Sequence, residues 1–133
     1  MNKEGKSHLS NLISVALADG KLVESEKKLL IQIAKRLGMT EEQVMQLIAH
    51  PEEIEFVIPE KSTDCYTQLY ELISMVIVDE EMHEKEEVLL KKYARKLNFS
   101  EDVVDKITDK IREFLHKGYN VNKINLNQLI RKF

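Results

Sequence analysis

The chain has 133 residues, 32% of them charged, with a net charge of −3 and only four glycines and two prolines. That length suits one domain able to bury about two-thirds of its unfolded surface without staples, and the acidic balance argues against a general nucleic-acid binder. A single cysteine, Cys65, excludes an internal disulfide and suits a reducing compartment. The apolar runs LISVALA and LISMVIV fall far short of the ~20 residues of a membrane span. The polar start MNKEGKSHLSN shows no signal region, so a cytoplasmic protein is expected.

Residues before Ser7 are polar and read as loose. From there Leu9, Leu12, Ile13, Ala16 and Leu17 follow helical spacing. This helix is expected to stop at Asp19-Gly20, since glycine tolerates the left-handed conformation that ends helices. Leu22 plugs the turn. A second helix starts at Val23 or Glu24, with acidic residues first and Lys35 and Arg36 last, as the helix dipole favours. Its stripe is Leu29, Leu30, Ile33, Ala34 and Leu37, and Gly38 ends it. Thr40 to Gln43 reads as a capping box opening a third helix with Val44, Leu47 and Ile48, stopped by His50-Pro51. The segment 51–62 reads as a connector with Ile54 and Val57 packed.

Thr63 or Asp64 then caps a helix carrying Tyr66, Leu69, Tyr70, Leu72, Ile73, Val76 and Ile77, with Asp79 at its end. A helix over 84–97 follows, with Val88, Leu89, Tyr93, Ala94 and Leu97 buried. Asn98 stands where Gly38 stood, and Ser100 where Thr40 stood. The next helix runs through Ile107, Ile111, Phe114 and Leu115 to Gly118. A last one over 122–132, with Ile124, Leu129 and Ile130, closes the bundle.

The halves are copies at an offset of sixty residues with no gap. Leu12, Ile13, Ser14, Asp19, Glu24, Glu26, Leu29, Leu30, Ala34, Leu37, Glu41 and Val44 recur unchanged from Leu72 to Val104. The expected fold is all-α: a compact single-domain bundle of about seven helices, built from two pseudo-symmetric helix-turn-helix repeats over 7–50 and 63–118. Two copies are too few for a solenoid.

A repeated core explains the matched apolar residues. It does not explain the matched carboxylates. Asp19 ends one helix and Glu26 lies in the first turn of the next, and Asp79 and Glu86 repeat this. Hard cations take six to eight oxygens, and Asp19, Glu26 and turn carbonyls could supply part of one shell. Glu24, Glu84 and His83 are further candidate ligands. DGKLVESE matches the back half of an EF-hand loop, but Val15 and Leu17, and Met75 and Ile77, stand where its first ligands belong. An ordinary EF-hand is not expected. Set against a cation site, an aspartate before glycine can bond its own turn, and a first-turn glutamate can simply answer the dipole.

ADGKLVESE before an apolar helix, repeated as VDEEMHEKE, resembles the tellurite-resistance TerB family and its TerB-like relatives, among them N-terminal domains of membrane-anchored co-chaperones. The resemblance covers roughly residues 7–115. It implies a helical bundle, a divalent metal at Asp19 and Glu26 and at Asp79 and Glu86, and a place in stress-response or membrane-associated complexes. Val23 and His83 depart from the serine common there, and Glu80 from the turn glycine.

Other constellations are weaker. Glu80 with His83 and Glu113 with His116 fit the Glu-x-x-His pair of di-iron bundles, but the first falls on a turn. Lys27, Lys28, Lys35, Arg36, Lys91, Lys92, Arg95 and Lys96 read as solvated surface or as a basic face. Asp64 beside Cys65 opposes a reactive thiolate. Tyr66, Tyr70 and Tyr93 read as core or interface. The expectation is a non-enzymatic interaction module that meets a protein partner and carries a divalent cation, calcium favoured. A small-molecule substrate, nucleic acid and an integral membrane segment are not expected; a peripheral membrane complex is compatible. The alternative is a scaffold without metal, its acidic turns serving as caps or as a patch for basic partners.

Overall fold

The computed structural model describes residues 3–18, 20, 22–49, 56–78 and 84–118, the side chains of Ile111, Phe114 and Leu115 excepted. They form six α-helices: α1 Lys3–Ala16, α2 Glu24–Arg36, α3 Glu41–Ala49, α4 Ser62–Ile77, α5 Glu84–Lys96 and α6 Glu101–His116. Among the described residues there is no strand. The seventh helix expected over 122–132, and His50, Pro51 and Ile54 of the connector, lie outside them.

The centre of the bundle is the contact between α1 and α4; α1 also packs on α2 and α5, and α4 on α5 and α2. Leu9, Leu12, Val15 and Ala16 meet Leu69, Leu72, Met75, Val76 and Ile77, and all nine are wholly out of water. Each leucine so buried contributes about 1.5–3 kcal/mol. The flanking helices are amphipathic and give one stripe each: Leu30, Ile33 and Ala34 from α2, Leu90, Tyr93 and Ala94 from α5. Val44 of α3 and Val104 and Ile107 of α6 close the ends. Burial of Val15, Met75 and Ile77 confirms that the front positions of an EF-hand loop belong to the core.

The helix ends follow the local chemistry. Gly38 has φ +86°, and Asn98 has φ 72°. Around Gly38, Gly38 N–H donates to Lys35 O at 3.1 Å and Met39 N–H to Ala34 O at 2.8 Å. Around Asn98, Asn98 N–H donates to Arg95 O at 2.9 Å and Phe99 N–H to Ala94 O at 3.0 Å. Both are Schellman closures, which need a left-handed residue. The capping box at α3 is complete: Thr40 N–H donates to Gln43 Oε1 at 2.9 Å, and Gln43 N–H to Thr40 Oγ1 at 3.2 Å. Ser100 Oγ accepts from Val103 N–H at 3.2 Å and caps α6.

Three expectations are corrected. The chain before Ser7 is helical, because Gly5, Ser7 and His8 are buried and Val57 N–H donates to Ser7 Oγ at 2.9 Å, pinning the connector across the first turns. Neither Thr63 nor Asp64 is the cap of α4: that position is Lys61, in extended conformation, and both fall inside the first turn. Val88 is 60% exposed; the inner face of α5 runs through Glu86, Leu90, Tyr93 and Ala94, and a residue two places on from Glu86 points away from it. Of the tyrosines read as core or interface, Tyr93 is in the core and Tyr66 and Tyr70 are more than one-third exposed. Tyr66 rests edge-on against Phe99 at 5.4 Å, and Phe56 of the connector stacks on Tyr93 at 6.3 Å.

A methyl group added at Gly38 meets nothing within 4 Å, so Gly38→Ala carries the backbone cost alone, about 1 kcal/mol. Asn98→Gly relieves the same strain and is expected to hold or raise stability. Urea unfolding should put the midpoint of Gly38→Ala below that of the parent and the midpoint of Asn98→Gly at or above it, at unchanged m-value.

Candidate functional site

Glu26 and Glu86 are each the third residue of their helix, in α2 and α5. They are 2% and 1% exposed. A first-turn glutamate ordinarily keeps its carboxylate in water; these two are inside the protein. The positive end of the helix favours their charge, and Val23 N–H donates to Glu26 Oε1 at 3.2 Å. Val23 has no side-chain acceptor, so only the return half of a capping box forms. Glu24 and Glu84, two residues earlier, are exposed.

Asp19, Asp79 and His83 lie outside the described residues. Among the described residues no group of three or more His, Cys, Asp or Glu side chains is disposed to hold a metal ion. A carboxylate oxygen is the hard donor type that a hard cation takes.

A second polar cluster has no counterpart in the sequence reading. His8 of α1 is 2% exposed and Glu71 of α4 is 8% exposed. His8 Nε2 lies 3.0 Å from Glu71 Oε1, and the Arg36 guanidinium at the end of α2 donates to that same oxygen at 2.5 Å. The three central helices are thus tied by one carboxylate. At the repeat offset, Gln68 answers His8 and Asn11 answers Glu71; both are 8% exposed. All four polar residues lie on α1 and α4. The one signal available was a polar residue within each apolar stripe, and a partner 63 residues away is invisible to periodicity.

Cys65 is half-buried, and its thiol pKa is pushed up by burial first, then by the charges of Asp64 and Glu4. That agrees with an unreactive thiol. Glu113 and His116 are exposed on α6, and Lys117 donates to Glu113 at 2.9 Å, an outward arrangement unlike a di-iron ligand pair. Among the basic residues, Lys91 pairs with Asp105 at 2.7 Å and Arg95 with Glu101. Arg112 of α6 pairs with Glu87 of α5. No helix among the described residues is long and apolar enough to cross a membrane.

The family model described as "Protein of unknown function (DUF533)" matches residues 1–111, and the chain belongs to that family. Neither the curated proteins nor the solved structures contain a match to it.

Glu71→Leu strands the buried His8 donor, and a loss of about 1–3 kcal/mol is expected. Glu71→Gln keeps an acceptor and should lose less, in the same denaturant series. A raised thiol pKa leaves less thiolate at pH 8, so Cys65 should alkylate more slowly than a free thiol. Asp64→Asn removes one opposing charge and should speed the reaction, though burial keeps it below the free-thiol rate. Iodoacetamide kinetics followed by mass spectrometry check both.

Proposed function

We propose that this chain is a non-enzymatic, TerB-like helical interaction module whose acidic turns take up a divalent cation, calcium by preference. Asp19 and Glu26 hold it in the first half, and Asp79 and Glu86 in a second half related by a pseudo-dyad. Supporting this is the burial of Glu26 and Glu86 at the same step of α2 and α5. Hiding a carboxylate costs several kcal/mol, roughly, unless a cation or several donors compensate. Calcium prefers six to eight oxygens, so water or a partner's carboxylates complete the shell, and partner binding becomes calcium-dependent.

The bond from Val23 to Glu26 favours a second reading. There the glutamates brace the starts of α2 and α5, and the chain is a scaffold that binds its partner without metal. Thermal melts with and without millimolar Ca²⁺ separate the two, using the parent chain, Glu26→Gln, and Asp19→Asn with Glu26→Gln. Glutamine keeps the capping acceptor, so Glu26→Gln alone should fold normally. Calcium at a hundredfold over its dissociation constant should stabilise the parent by about 2.7 kcal/mol, and the double variant not at all. Equal melting temperatures throughout leave the scaffold.

A further inference from the structure

The connector between the two copies is seated against three helices. Residues 56–59 form neither helix nor strand. Val57 N–H donates to Ser7 Oγ of α1 at 2.9 Å. The Phe56 ring stacks on Tyr93 of α5 at 6.3 Å, and the Lys96 ammonium at the end of α5 stands 5.1 Å from the Phe56 ring centre. The Cys65 thiol of α4 donates to Pro59 O at 3.7 Å, and Pro59 is buried.

The four residues that seat this segment have counterparts sixty places away: Thr67 for Ser7, Gly5 for Cys65, Ile33 for Tyr93 and Arg36 for Lys96. Thr67, Gly5 and Arg36 line an open cleft of about 160 Å³ between α1, α4 and the end of α2. The counterparts keep the chemistry. Thr67 carries a hydroxyl, as Ser7 does; it donates to Thr63 O at 3.0 Å, and its lone pairs remain to accept an N–H. Arg36 ends its helix with a cation, as Lys96 does. It is half exposed and bonded to Glu71 at 2.5 Å. A guanidinium bonds in its plane and stacks on an aromatic ring through its face. Ile33 replaces Tyr93, so the ring-on-ring contact is not repeated.

We propose that this cleft docks a non-helical segment of a protein partner, in the way the chain seats its own residues 56–59. An aromatic side chain of that segment lies against Arg36, and one of its backbone N–H groups donates to Thr67 Oγ1. The space suits one ring: an apolar cavity of about 150 Å³ takes benzene. Glu4 and Asp64 also line the cleft and favour a lysine or arginine beside the aromatic residue. The docking site is separate from the acidic turns and needs no cation.

The test is a titration of the ¹⁵N-labelled full chain with a blocked peptide, Lys-Phe-Val-Ile-Pro-Lys, built on the connector's own sequence. The same peptide with alanine for phenylalanine is the control. The expected result is a saturable shift of the backbone amides of Arg36, Leu37 and Thr67 with the phenylalanine peptide only, those of Ser7, Val57 and Tyr93 staying in place. Thr67→Val, at an exposed position, removes one acceptor and should weaken binding about two- to tenfold. No saturable shift overturns the proposal, and so does an equal response to the alanine peptide, which marks a charge effect alone. Shifts that fall on Ser7 and Tyr93 overturn it too, because the peptide is then displacing the connector. Shifts at Arg36 and Thr67 that follow protein concentration without peptide make a second copy the occupant, against the proposal.

Discussion

Two carboxylates sit inside the protein at the starts of α2 and α5, and the surrounding architecture has to make that tolerable. Glu26 and Glu86 are more hidden than Ile13 or Tyr93. The helix dipole reaches them because each is only two residues from its helix start. The corners that lead into these helices must therefore hold their shape, since fraying would expose the amides and leave the charge in an apolar setting. That is a reason for the rest of the unit: Leu22 packed against the core, Gly20 in the left-handed region, and a reversal that presses α2 onto α1. A cation at the same corner would stabilise the arrangement further and link it to calcium supply.

The α1–α4 contact shows a different balance. It is mostly leucine, valine and isoleucine, yet His8, Asn11, Gln68 and Glu71 lie buried within it. Apolar helices could slide or rotate against each other at little cost. A carboxylate that must meet both His8 and Arg36 allows one register. A buried polar pair of this kind is weak evidence for net stability; its use here is to set which residues of α1, α2 and α4 meet.

Much of the fold was legible because its signals are local. Gly38 and Asn98 announce left-handed closures, Thr40 with Gln43 announces a cap, and the leucine spacing of the two copies announces the stripes. What escaped depends on contacts distant in sequence. The first turn of α1 is polar and reads as loose until Val57 and Ser7 meet. Val88 reads as core by type, although the register set by Glu86 and Leu90 turns it outward. At the acidic corners the sequence marked Glu26 and Glu86 as repeated but not as buried. The burial follows from how α2 and α5 lie on α1 and α4.

The claim that the acidic corners serve a cation is tested most directly by a crystal structure grown with manganese in place of calcium, using its anomalous signal. The account predicts a peak within about 2.0–2.6 Å of carboxylate oxygens from both Asp19 and Glu26. A corner with no peak, Asp19 turned onto the amides of its own turn and Glu26 bonded only to Val23, would contradict it.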